Sequence, residues 1–131
     1  MTTKLIQQYI YELDTWYRLL DYLEEENVLY KNRIVTILKN DTESLLLEMI
    51  ESFLNKFVLE DTIISIFRND ITKAKIKIMA EGKDVEKEKN GDNYILYQNK
   101  LRKEIEIIEH QFNRLKFEFN NYLSEQFTTF K

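Results

Sequence analysis

Apolar side chains recur at alternating spacings of three and four residues along the first third of the chain. The stripe consists of Ile6, Tyr9, Leu13, Trp16, Leu20, Leu23, Asn27, Tyr30, Ile34 and Ile37. Because this is the rhythm of a heptad repeat held for about five heptads, it predicts an amphipathic helix over about residues 3–39. Arg18, Glu25, Asn32 and Lys39 stand opposite the stripe and indicate the solvent-facing side.

The same rhythm returns in a second stretch, which predicts a helix over about residues 42–81. Its stripe consists of Leu46, Ile50, Phe53, Phe57, Glu60, Ile64, Phe67, Ile71, Ala74 and Ile78. A shorter parallel stripe of Leu59, Ile63 and Ile66 widens the apolar face beyond what one neighbour covers. This helix is therefore predicted to be central and to touch two partners.

A third stretch predicts a helix over about residues 93–127 with a narrow apolar seam and charged borders. The seam consists of Tyr94, Gln98, Leu101, Ile105, Ile108, Phe112, Leu115, Phe119 and Tyr122. The borders consist of Arg102, Glu109 and Lys116 on one side and Glu104, Gln111 and Glu118 on the other. Such borders are typical of helices whose flanking charges select the partner and its orientation.

Two breaks separate the three stripes. At Lys39-Asn40-Asp41, either Asp41 or Thr42 is suited to cap the next helix, which favours a short turn between antiparallel neighbours; without a glycine there, one continuous helix through residue 40 stays open. Gly82 is a natural helix C-cap, and the charged segment after it contains an Asn-Gly turn signal. A polar loop is therefore predicted over residues 82–93.

The composition agrees with an all-α fold, because proline is absent and glycine occurs only at Gly82 and Gly91. A chain of 131 residues is enough for one domain and too short for two dependable cores. We therefore expect a single helical domain over 1–131, an elongated bundle of three long amphipathic helices with coiled-coil-like packing.

Charge and residue usage exclude several classes of function. The net charge is −4, with 23 acidic and 19 basic residues interspersed, so no basic field attracts nucleic acid. Cysteine is absent, which excludes thiolate catalysis and cysteine-ligated zinc. No apolar run approaches the roughly 20 residues of a membrane span. Neither a nucleic acid nor a membrane is expected as a partner, and cytoplasmic residence is the default expectation.

Two polar residues interrupt the apolar stripes at inward positions. Asn27 occupies an a position of the first heptad repeat, where one asparagine specifies register and oligomer order because its amide is satisfied only opposite a polar group. Glu60 points inward between Phe57 and Ile64. A buried glutamate needs a basic partner or a shifted pKa; the alternative is a locally open seam through which Glu60 reaches water.

His110 is the only histidine and is predicted to lie on the outer face of the third helix. In length, helicity and the segment His110-Gln111-Phe112-Asn113-Arg114, the chain is similar to histidine phosphotransfer modules, which implies His110 as phosphoacceptor. Such modules carry a lysine and a glycine shortly after the histidine, whereas here Arg114 supplies the charge and no glycine follows.

Metal or cofactor binding is a second alternative for a helical bundle. A di-iron site requires two Glu-x-x-His motifs, but Ile107 stands three residues before His110 and there is no second histidine. We therefore expect no metal and no cofactor.

No catalytic constellation is recognisable, and the leading prediction is a non-enzymatic helical interaction module: an oligomeric adaptor, scaffold or regulator that binds through helix faces. Tyr22, Val28, Leu29 and Val35 lie off the main stripe of the first helix, and a monomer would have difficulty covering them. A homo-oligomer, with a dimer favoured, is therefore expected, and a further protein partner is compatible with the same faces.

Overall fold

Three long α-helices make up the described chain. The computed structural model describes the backbone of residues 2–40, 44–85 and 88–128 and the side chains of residues 4–40, 46–81 and 93–126. The helices are α1 (Thr2–Asn40), α2 (Ser44–Val85) and α3 (Glu88–Thr128). Each is about 60 Å long at a rise of 1.5 Å per residue. The expected all-α class and the packing of three helices against each other are confirmed.

The order of contacts along the helices gives the topology. Between α1 and α2 the partners run in opposite directions, since Asp14 pairs with Lys75 whereas Lys31 pairs with Asp61. Between α1 and α3 the partners rise together: Glu12 pairs with Arg102, and Glu26 with Lys116. The bundle is therefore up-down-up, with α2 antiparallel to both neighbours and α1 parallel to α3.

The predicted stripes form the core. Every member of the α2 stripe is buried, and so is every member of the α3 stripe except Tyr122, which is partly buried. In α1 the stripe is buried apart from Ile6, Tyr30 and Ile37, which pack partly buried against the same core. One continuous apolar core thus runs along the bundle, as the heptad rhythm predicts.

Aromatic rings fix how the three stripes are aligned. The Tyr30 ring stacks on Phe57 with centroids 5.1 Å apart, and Phe119 lies 5.7 Å from Phe57 and 5.8 Å from Tyr30, both edge-on. These three residues form one layer, with one member from each helix. The next layer towards the end of α1 holds Phe53 and Tyr122, whose rings are 5.5 Å apart.

The two breaks differ in how well they match the prediction. α1 ends at Asn40 and α2 begins at Ser44, and because the two helices pack antiparallel, one continuous helix is excluded. The predicted capping by Asp41 or Thr42 lies outside the described residues.

The polar loop predicted over 82–93 is too long. α2 continues through Gly82 to Val85, and α3 begins at Glu88, before the Asn-Gly pair. The departure from helical geometry lies at Glu81, with φ −111° and ψ 19°. The lysines and glutamates of this segment are good helix formers, and their propensity outweighs two glycines that cost about 1 kcal/mol each.

Candidate functional site: the buried polar contacts and the helix seams

Asn27 is fully buried and binds α2 through its side-chain amide. Its Nδ2 donates to the backbone carbonyl oxygen of Phe57 at 2.9 Å and also to the carboxylate of Asp61, one helical turn further on. Lys31, one turn after Asn27, donates to the other oxygen of Asp61. Both amide hydrogens of Asn27 are therefore used between α1 and α2, whereas its Oδ1 has no hydrogen-bond partner among the described residues.

Glu60 is buried in the layer that contains Asn27. From the layer of Tyr30, Phe57 and Phe119, the next seam positions are Asn27, Glu60 and Leu115. Glu60 is only 7% exposed, which rules out the open seam through which it would reach water.

Within the described residues, Glu60 Oε2 also lacks a hydrogen-bond partner. The basic groups that α1 and α3 bring near this layer, Lys31 and Lys116, bind Asp61 and Glu26 instead. Burial accordingly raises the pKa of the Glu60 carboxyl above its ordinary 4.5.

Gln98 is the third buried polar side chain, at 2% exposure, and it joins α3 to α1. Its Nε2 donates to the carbonyl oxygen of Tyr9 and to the Glu12 carboxylate, each at 3.3 Å. Arg102, one turn later, binds both Glu12 oxygens through Nη2 at 2.7 Å and lies over the ring of Trp16. The sequence marked Gln98 as a polar seam member but gave no sign of its partners.

Ion pairs join α1 to both other helices. On the α2 side, Asp14 binds Lys75 at 2.8 Å, Asp21 binds Arg68 at 2.9 Å, and Lys31 binds Asp61. The three α2 partners are spaced by seven residues, one per heptad. On the α3 side, Glu12 and Glu26 bind the two basic border residues Arg102 and Lys116. Each partly exposed pair stabilises by at most about 1 kcal/mol, but together they oppose other registers.

The seam between α2 and α3 is built differently. No ion pair joins the described side chains of residues 53–78 to those of residues 94–120 across this seam. Instead, a groove is lined by Ile63, Ile66 and Ile107, and two carboxylates of like charge, Asp70 and Glu104, line it as well. Burial raises the pKa of the nearby Tyr97 hydroxyl, and these two carboxylates raise it further.

The apolar side chains of this groove are largely exposed. Ile66 is 59% exposed and Ile107 is 55% exposed, and Leu59 on the same side of α2 is 58% exposed. α2 contacts both α1 and α3, as predicted, but within its second stripe only Ile63 packs partly buried against the core. We call the surface formed by Leu59, Ile63, Ile66 and Ile107 the α2–α3 face.

His110 is exposed on the outer side of α3, as its register predicts. Arg114, the residue expected to supply charge beside it, is paired with Glu118 at 3.1 Å. Among the described contacts, His110 takes part in no hydrogen bond and no ion pair.

The remaining features concern membrane and metal binding and the off-stripe residues of α1. None of the described helices has the length and apolarity needed to cross a membrane. Within the described residues, no group of three or more acidic, histidine or cysteine side chains is placed to hold a metal ion. The off-stripe residues Tyr22, Val28, Leu29 and Val35 are all exposed.

Comparison of the chain with protein-family models, with curated proteins and with solved structures found no match.

Proposed function

We propose that this protein is a non-enzymatic helical interaction module of the cytoplasm, an adaptor, scaffold or regulator that self-associates and presents helix faces to other proteins. The observation that carries the proposal is the contrast between the seams. Ion pairs border both seams of α1, whereas the α2–α3 seam is bordered by exposed isoleucines and like charges.

The exposed isoleucines favour association on physical grounds. Fully burying one such side chain contributes about 1.5–3 kcal/mol, and a contiguous apolar surface bordered by polar residues is typical of a protein-binding site. Ile66 and Ile107 line one groove, and Leu59 continues the apolar surface along α2. A partner that covers this face buries all three side chains, and their burial free energies add to the stability of the complex.

The buried acid supports a structural role more than a catalytic one. Glu60 has the raised pKa that a general acid needs, but it is enclosed in the core, where no substrate reaches it. Arg114, the basic residue one turn after the exposed His110, is paired with Glu118, and no glycine follows to open space for an incoming domain. An interaction module is therefore better supported than acid–base catalysis or phosphotransfer.

Solution mass tests this proposal. In sedimentation equilibrium from about 1 µM to about 1 mM, we expect the weight-average mass to rise from the 16.0 kDa of one chain towards twice that value. His110→Gln provides a matched control, since it should associate as the natural chain does. A folded chain that stays at 16.0 kDa throughout would contradict self-association.

A further inference from the structure

We propose that the α2–α3 face binds a second copy of this chain, with α3 antiparallel to the α3 of the partner copy. This inference rests on the proposed function and names the surface and the orientation. It is carried by four charges of α3. Glu104 lines the groove, and Lys100, Arg114 and Glu118 lie on the same side of α3 because spacings of three and four residues connect them to Glu104, Ile107 and Gln111.

These four charges are complementary to the same four charges of a second copy whose α3 runs in the opposite direction. Glu109 is midway between Lys100 and Glu118, and it is also midway between Glu104 and Arg114. If two copies of α3 lie antiparallel about this point, Lys100 of one copy meets Glu118 of the other, and Glu104 meets Arg114. A two-fold axis repeats both contacts, so the dimer gains four intermolecular ion pairs.

The pairs already present within α3 complete the arrangement. Lys100 lies 3.9 Å from Glu104, and Arg114 lies 3.1 Å from Glu118, both at the i, i+4 spacing. The intermolecular contacts join one such pair from each copy into a ring of four alternating charges. Networks of this kind contribute more than isolated surface pairs, and they select orientation.

The apolar residues lie at the centre of the same arrangement. Ile63 and Ile66 share their groove with Ile107 and Gln111, and the latter two are equidistant from Glu109. In the register of the layers that pair Phe57 with Phe119 and Glu60 with Leu115, Ile66 lies at the level of Glu109, so reversal about this point brings Ile66 of one copy to Ile66 of the other. The isoleucines form the middle of the interface and the charged rings lie on either side of it, as in interfaces with an apolar core and a polar rim.

The parallel arrangement is disfavoured by the same charges. A two-fold axis along the helices would place Asp70 and Glu104 opposite the same acids of the second copy, and Lys100 opposite Lys73. The antiparallel arrangement brings Lys56 to the level of Lys77 of the second copy, and both of these long side chains are exposed and reach solvent. Charge therefore selects the antiparallel copy.

Charge exchange between Glu104 and Arg114 tests this arrangement. We expect Glu104→Arg and Arg114→Glu each to raise the dimer dissociation constant by about tenfold or more, because each single change sets like charges against each other twice. The double variant restores both intermolecular pairs and should dimerise more tightly than either single variant, but less tightly than the natural chain, because positions 104 and 114 then repel Lys100 and Glu118 within α3. An equimolar mixture of the two single variants should form a heterodimer, since one then supplies two bases and the other two acids.

Apolar variants distinguish this surface from self-association in general. Ile66→Arg should abolish the dimer, whereas Leu29→Arg, an equally exposed site on α1, should leave it unchanged. Helical content by circular dichroism verifies that each variant is folded. Single charge variants that dimerise normally, or a mixture without heterodimer, would overturn the α2–α3 face while leaving self-association intact. A natural chain that remains monomeric contradicts both.

Discussion

Asn27 on α1 donates a hydrogen bond from Nδ2 to the backbone carbonyl oxygen of Phe57 on α2, at 2.9 Å. The ring of the same Phe57 stacks on Tyr30, three residues after Asn27, at a centroid distance of 5.1 Å. α1 thus contacts Phe57 of α2 in two ways, through a hydrogen bond to its backbone and through stacking on its ring. A slip of α1 by one heptad would lose both contacts, so this pair of interactions specifies the register.

Removing the Asn27 amide should destabilise the bundle. Asn27→Ala loses one hydrogen bond to a neutral carbonyl and one to a carboxylate, and we expect the free energy of unfolding to fall by about 2–4 kcal/mol. Urea denaturation measures the change. Asn32→Ala, at an exposed position of the same helix, is the control and should change stability by less than about 0.5 kcal/mol. Equal effects at the two positions would refute a specific role for Asn27.

The contact between Glu12 and Arg102 should couple α1 to α3. Arg102 binds both oxygens of the Glu12 carboxylate through Nη2 and adds a bond from Nε at 3.1 Å. Because the geometry is bidentate and both groups are partly buried, we expect a coupling free energy of about 1 kcal/mol. A double-mutant cycle with Glu12→Gln and Arg102→Met measures it. The exposed pair Arg114 and Glu118 is the comparison and should give a smaller coupling free energy. Equal coupling free energies in the two pairs would contradict a special contribution from the bidentate contact between Glu12 and Arg102.

The heptad rhythm was sufficient to predict the core, because burial follows from the spacing of apolar residues alone. The spacing of charged residues also assigned the two borders of α3 correctly to opposite sides of its apolar seam. It did not indicate which neighbour each border faces, since that depends on the hand of the bundle. As a result Arg102 and Lys116 meet α1, whereas Glu104 and Gln111 line the groove of the α2–α3 face.

The helix ends and the partners of buried polar groups were harder to predict. Glycine and an Asn-Gly pair predicted a loop, but the good helix formers around them extend α2 to Val85 and begin α3 at Glu88. For Glu60, the sequence offered a basic partner or water. The side chain is only 7% exposed and its Oε2 has no hydrogen-bond partner among the described residues, since the bases Lys31 and Lys116 are engaged by Asp61 and Glu26. Spacing along the chain does not indicate which acid each base binds.

Glu60 should make stability depend on pH in the direction opposite to that of an ion-paired acid. Burial raises its pKa in the folded state above the ordinary 4.5, so the folded chain holds a proton that the unfolded chain has released. Below about pH 4.5 both states are protonated and Glu60 carries no penalty. As pH rises from about 4.5 to the folded-state pKa, the free energy of unfolding falls. Above the folded-state pKa the loss stays constant.

Glu60→Gln removes this titration and isolates it. Glutamine keeps the shape of the protonated acid, so the variant should be more stable than the natural chain at pH 7 and similar to it at pH 4. Urea denaturation at both values measures the difference. Glu51→Gln, at an exposed position of α2, is the control and should leave the pH profile unchanged. If the Glu60→Gln variant were less stable than the natural chain at pH 7, the carboxylate would have to be stabilised in the core, which requires a partner for Oε2 that the described contacts lack.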